Sequence, residues 1–198
     1  LNRENNVYGY ESLKNSFPEK VFRFCPRCGS EQFPFRQDNS FLCEQCGFVF
    51  FINAAAAVAA LIEDSHGRLL LTRRAKEPMK GKLDLPGGFV DTGESAEHAL
   101  ERELVEELNL VVGEKAFFMS CPNTYEYAGL TYFTLDLAFV CKVSSFDAMQ
   151  LDDEIDSFEF IAPDEIDLEE IGLASIRKIV SLYQAYKIPP FLEGRGSG

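Results

Sequence analysis

One stretch, residues 88–110, limits what this chain can become more than any other: GFVDTGESAEHALERELVEELNL, led in by Leu85, Pro86 and Gly87. It opens as a glycine-bearing loop and turns into a helix. Thr92 or Ser95 can cap the start, and residues 97–108 are almost all good helix formers. The helical period places Glu103, Glu106 and Glu107 on one face. Beside them Ala96, Leu100, Leu104 and Leu108 make an apolar stripe that should pack inward. Like charges at these spacings destabilise a bare helix by roughly 0.2 to 0.5 kcal/mol per pair, so a positive neighbour is expected. Arg102 can answer one of them. Several carboxylates beside a glycine turn also suit a hard divalent cation with oxygen ligands, Mg²⁺ above all. The plainer reading is a solvated acidic face.

The spacing bears on that choice. Gly88, five residues, Glu94, seven residues, then Arg102, Glu103 and Leu104, one residue, Glu106 and Glu107, with an aliphatic Leu110 beyond, resembles the signature of the Nudix hydrolases. Asn109 stands where that family has glycine. Asn is the next most tolerant residue at a left-handed helix end, so the change should be mild. The resemblance implies an α/β class protein, an α/β/α sandwich with a mixed sheet. It implies Mg²⁺- or Mn²⁺-dependent hydrolysis of a small-molecule nucleoside diphosphate linked to another group. By the same resemblance Gly87 (through its carbonyl), Glu103, Glu106 and Glu107 would hold the metal. Glu94 and Arg102 would orient those carboxylates, and either a box carboxylate or Glu154 would take the proton of the attacking water. Many members are dimers, which makes a homodimer a further expectation.

A second motif lies upstream. Cys25-Pro-Arg-Cys28-Gly29 and Cys43-Glu-Gln-Cys46-Gly47 are two knuckles, each bringing two thiols to one point, with Gly supplying a positive φ. Four sulfurs at this spacing form the closed Cys₄ site of a structural Zn²⁺. A disulfide pair or a redox dithiol are the rivals; disulfides suit secreted chains, and a redox motif would not come doubled with Gly after each second Cys. The module resembles a zinc ribbon. Its charge is balanced, Arg23, Arg27 and Arg36 against Glu31, Asp38 and Glu44, so it gives no support to nucleic-acid binding. Cys121 and Cys141 lie in apolar surroundings and read as core.

The expected organisation is a lead segment over residues 1–20, a ribbon over 21–50, a catalytic domain over 51–188 and a flexible tail over 189–198. Residues 54–74 read as two strands around a turn at Ser65, His66 and Gly67. Their row of alanines implies an element packed very close; the resemblance implies that this is the glutamate-bearing helix. His66 and His98 read as structural. Residues 75–85 are a loop, 111–120 and 130–143 strands, and 121–129 their connector. In that connector Tyr125 and Tyr127 could stack on a base or pair across strands. Arg73 and Arg74, with Lys80 and Lys82, are the cations nearest the motif and candidates to meet a polyanionic substrate. Residues 144–156 form an acidic loop, whose Glu154 resembles the extra glutamate that many Nudix enzymes carry outside the motif; a solvated run is the alternative. Residues 171–186 make a terminal helix, stopped by Pro189 and Pro190.

A ribbon ahead of such a domain resembles the architecture of the NADH pyrophosphatases. Their downstream substrate array contains tryptophan, whereas this chain has Ser120, Pro122 and Tyr125 there and no Trp at all. ADP-ribose or NAD(H) are the foremost substrates, with a dinucleoside polyphosphate hydrolase or a nucleotide-sensing module as alternatives. A net charge of −13 argues against broad binding to nucleic acid or anionic membrane. No apolar run reaches membrane-spanning length, which makes cytoplasmic the default location.

Overall fold

The computed structural model describes residues 15–187. The expectations for residues 1–14 and for the tail at 189–198, including its proline stop, lie outside the described residues. The described residues divide into two compact units, 15–55 with 124–134 and 56–123 with 135–187.

In the first unit a short helix, α1 (Pro18–Val21), precedes the antiparallel pair β1 (Ser40–Leu42) and β2 (Val49–Phe51), in register Ser40 to Phe51 and Leu42 to Val49. The core is small and aromatic. Phe33 and Phe41 are buried and stack at 5.0 Å between centroids, with Phe22 and Phe35 against them. The tip of a hairpin joins this unit. Thr131 N–H donates to the Ser16 carbonyl at 2.7 Å, the hydroxyls of the same residues are 2.8 Å apart and buried, and the rings of Phe17 and Phe133 meet edge-on.

That hairpin is β6 (Val112–Tyr127) and β7 (Leu130–Val143). The expected connector over 121–129 is therefore mostly strand, a correction with two physical reasons. β6 lies at the edge of the order β3-β7-β6, where Pro122 costs no ladder bond. The reversal needs only Ala128 and Gly129, both at positive φ (50° and 77°), as a two-residue hairpin turn requires.

The second unit is built on alternation. β3 (Ala55–Ile62) sends Val58, Ala60 and Ile62 into one core with Ala99, Leu100, Leu104 and Leu108 of α2 (Ala96–Leu108). It sends Ala59 and Leu61 into a second core with Ile176, Ile179, Val180 and Tyr183 of α3 (Ala174–Lys187). β4 (Leu69–Arg74) divides likewise, Leu70 to the first core and Leu69 and Leu71 to the second. Side chains of a strand alternate between faces, so the period-two pattern creates helix, sheet, helix layers. β4 is flanked by β5 (Leu83–Asp84) and β8 (Ile155–Ile161), both antiparallel, while Leu83 bridges Ile171 in parallel. The sandwich with a mixed sheet is as the motif implied. The terminal helix begins at Ala174 rather than 171, because Ile171 pairs with Leu83 first.

Among the described residues no helix is long and apolar enough to cross a membrane. Leu104 is fully buried between α2 and β3. Leu104→Ala should lower unfolding free energy by about 3 to 5 kcal/mol through lost burial and the cavity left behind, measured by urea titration.

Candidate functional site

Ser95 caps α2: its Oγ accepts from His98 N–H at 3.3 Å, so of the two candidate caps the structure selects Ser95. At the other end Asn109 adopts φ 52° and ψ 36°, the left-handed conformation expected of it. Its Nδ2 donates to the Ala148 carbonyl, Gln150 N–H to Leu108 O and Asp152 N–H to Glu107 O, which docks the acidic loop on the helix end.

The approach to α2 is equally determined. Residues 86–90 run beside β3, with Val58 N–H on Gly88 O, Ala60 N–H on Pro86 O and Val90 N–H on Ala56 O. A Cβ at Gly87 would lie 2.1 Å from the Val58 carbonyl, and the residue's φ of 141° is closed to ordinary side chains. A Cβ at Gly88 would lie 2.5 Å from the Glu103 carboxyl. The two glycines thus let backbone approach strand on one side and carboxylate on the other.

Arg102 is the hub of the acidic face. Its Nε and Nη2 donate to Glu94 at 3.1 and 2.9 Å, Nη1 to Glu103 at 2.8 Å and Glu106 at 3.0 Å, and Nη2 also to the Phe89 carbonyl at 3.0 Å. Hydrogen bonds from Arg102 hold the Glu94 carboxyl below its usual range. Burial raises Glu103, against the pull of Arg102. Glu107 turns the other way and accepts from Gly87 N–H at 3.0 Å. Burial pushes its carboxyl up to about 8; the Gly87 amide opposes this, and the negative charges of Glu103, Asp84 and Asp152 reinforce it. The three glutamates therefore do not meet at one point: Arg102 neutralises two, and the third is buried among anions.

Glu154 is 60% exposed and accepts from Lys76 Nζ at 3.3 Å, and its charge reaches Glu103. Arg73 is committed to Glu159 at 2.7 Å, Glu170 at 3.6 Å and the Gly81 carbonyl. Arg74 is committed to Asp84 and the Pro78 carbonyl. The expectation that these two arginines face substrate meets guanidinium groups already engaged. Asp84, buried beside Arg74, is missed by sequence reasoning, because a lone Asp in a loop carries no signal. Tyr125 and Tyr127 lie near the hairpin tip in the first unit, and both pair with Tyr132, Tyr125 stacked at 5.8 Å and 15°. That favours the cross-strand role.

In the first unit the Gly29 and Gly47 amides donate back to the Cys25 and Cys43 carbonyls at 2.8 and 2.9 Å, with φ of 73° and 71°. These turns bring the thiols together. Cys25 and Cys46 sulfurs are 3.7 Å apart, Cys28 and Cys43 sulfurs 3.6 Å, and all four lie within 4.8 Å. Tetrahedral thiolates at about 2.3 Å from one ion would be about 3.8 Å apart. Among the described residues this is the one group of three or more Cys, His, Asp or Glu side chains so closely placed. All six cysteines are free, so neither knuckle is a disulfide. Cys121 and Cys141 are buried, as expected of core residues.

A family profile described as NUDIX domain matches residues 53–183. Over 61 residues the chain is 43% identical to the ADP-ribose pyrophosphatase of Methanocaldococcus jannaschii, covering 31% of this chain and 36% of the relative. It is 23% identical over 182 residues to the NAD-capped RNA hydrolase NudC of Pseudomonas putida, 92% of this chain and 63% of that protein. The chain thus spans less than two thirds of either relative. The crystal structure of a NUDIX hydrolase from Nitrosomonas europaea superposes with a TM-score of 0.64 at 21% identity, over 84% of this chain and 92% of that one. At that identity the likeness concerns the fold.

Proposed function

We propose, from the premise that this chain belongs to the NUDIX domain family, that it hydrolyses the diphosphate linkage of a nucleoside diphosphate derivative with a divalent cation, ADP-ribose or NAD(H) being the favoured substrates. The observation that carries this is the arrangement of Glu94, Glu103 and Glu106 around the Arg102 guanidinium, with Glu107 buried and held by Gly87 N–H. By its chemistry the donor set fits Mg²⁺ or Mn²⁺: hard carboxylate oxygens beside a backbone turn of two glycines, the second of which has no room for a side chain next to the Glu103 carboxyl. Glu103, Glu106, Glu107 and the Gly87 carbonyl would hold it. When bound, the ion supplies Lewis acidity and offsets the charge of the phosphate oxygens.

The chain's own residues do the rest. Arg102, fixed by Glu94, orients the carboxylates, as groups behind metal ligands do. Glu106 and Glu154, at 59% and 60% exposure, are the carboxylates open to water and can accept its proton. The four cysteines we assign to one structural Zn²⁺; closed coordination leaves no position for catalysis there.

The test is a Mg²⁺-dependent screen, with a phosphatase to release phosphate from monophosphate products, over ADP-ribose, NADH, dinucleoside polyphosphates, nucleotide sugars and nucleoside triphosphates. Cleavage of ADP-ribose or NADH in preference to triphosphates is expected. No turnover of any of them with Mg²⁺ or Mn²⁺ would overturn the reading.

A further inference from the structure

Asp84 is a buried carboxylate near the glutamates, at 6% exposure, and nothing in the motif calls for it. It sits on β5 opposite Thr72 of β4. Its Oδ2 accepts from Arg74 Nη1 at 2.7 Å and its Oδ1 from Leu85 N–H at 2.9 Å, so both oxygens are tied. Arg74 is itself anchored, Nε donating to the Pro78 carbonyl at 2.6 Å. It stands where the pairing of β4 with β8 shifts register, between Arg73 and Arg74, the kind of irregularity that re-aims a side chain.

Asp84 leads directly into the loop of the site. Leu85 N–H is held by the Asp84 carboxylate, Pro86 O by Ala60 N–H, and Gly87 N–H reaches Glu107. Asp84 also lies close enough to Glu107 for its charge to act there, and Asp136 acts on Asp84 in turn. A buried ion pair is seldom the most stable filling for such a place; apolar residues of like volume often do as well or better. Its position beside an anionic cluster fits a role in placing that cluster.

We propose that the Arg74–Asp84 ion pair is a positioning element of the divalent-cation site: it fixes the segment from Leu85 to Gly87 so that the Gly87 amide holds Glu107 and the Gly87 carbonyl is presented to the cation. The proposal rests on the reading that the glutamates take up Mg²⁺ or Mn²⁺. Arg74 is thereby a positioning residue and not a contact of the substrate.

Calorimetry of the full chain with Mn²⁺ alone tests it. Asp84→Asn should bind Mn²⁺ about 10- to 100-fold more weakly, the usual cost of losing a group behind the ligands. Its turnover should fall at low Mn²⁺ and recover as Mn²⁺ is raised, with the substrate KM at saturating metal unchanged. Arg74→Lys, which keeps the charge and loses the fork, should show a smaller shift in the same direction. Wild-type Mn²⁺ affinity in a folded Asp84→Asn overturns the proposal while leaving the hydrolase reading intact. If Asp84→Asn does not fold, unchanged affinity in Arg74→Lys overturns it. Absence of Mn²⁺ uptake by the wild-type chain overturns both.

Discussion

Glu106→Gln should leave a folded protein whose turnover is lower by about 10²- to 10⁴-fold, the range a positioned proton-transferring group contributes. The side chain is 59% exposed and accepts a hydrogen bond from Arg102 Nη1, so the fold loses only a surface ion pair. Exposed pairs are worth at most about 1 kcal/mol, and the melting temperature should scarcely move. Glutamine keeps the volume and one oxygen but not the charge, so cation binding and proton acceptance are what the substitution removes. Steady-state rates with ADP-ribose and Mg²⁺, beside a thermal melt, provide the measurement. Equal rates in the variant would favour the nucleotide-sensing alternative.

The second large effect concerns the four cysteines. Stripping their metal should unfold the ribbon locally, because its buried hydrophobic core among the described residues consists of Cys25, Phe33, Phe41 and Cys43. Two of those four, Cys25 and Cys43, are among the proposed zinc ligands. Structural Zn²⁺ contributes on the order of 10 to 16 kcal/mol of binding free energy in small modules, far more than two buried phenylalanines can. Amide exchange over residues 21–50 should become fast after strong chelation, with about one equivalent of zinc released per chain, and Cys43→Ser should behave like the stripped protein. Unchanged exchange after metal removal would contradict the assignment.

The parts legible in the sequence are those where spacing itself is chemistry. Four cysteines in two knuckles and the glutamates of α2 follow from turn and helix periods; the structure gathers the four thiols within 4.8 Å of one another, while Glu103 and Glu106 are held by Arg102 and Glu107 by Gly87 N–H. Asn109 is readable because few residues tolerate its φ of 52°. The parts not legible depend on partners distant in the chain. Asp84 is unremarkable until β4 and β5 pair and Arg74 reaches it. Arg73 looks free in the sequence because Glu159 and Glu170 lie some ninety residues away. Sequence alone shortens the hairpin because Pro122 and the pair Ala128 and Gly129 look like a loop; only the edge position of β6 and the two positive φ values make them strand and turn. That Arg102 serves Glu94, Glu103 and Glu106 together needs coordinates, since one guanidinium cannot be apportioned among three carboxylates by spacing alone.

The four consecutive alanines at residues 54–57 carry no marker of their own to say which should face which helix. The backbone bonds from Val58, Ala60 and Val90 to Gly88, Pro86 and Ala56 supply that marker from outside the strand. Loss of a single alanine codon would thus be nearly invisible in composition, yet it would interchange the two surfaces of β3 for every residue on one side of the lesion. The loop that leads into the glutamate-bearing helix also serves as the ruler against which that featureless run is measured, so errors in either would be felt by the other.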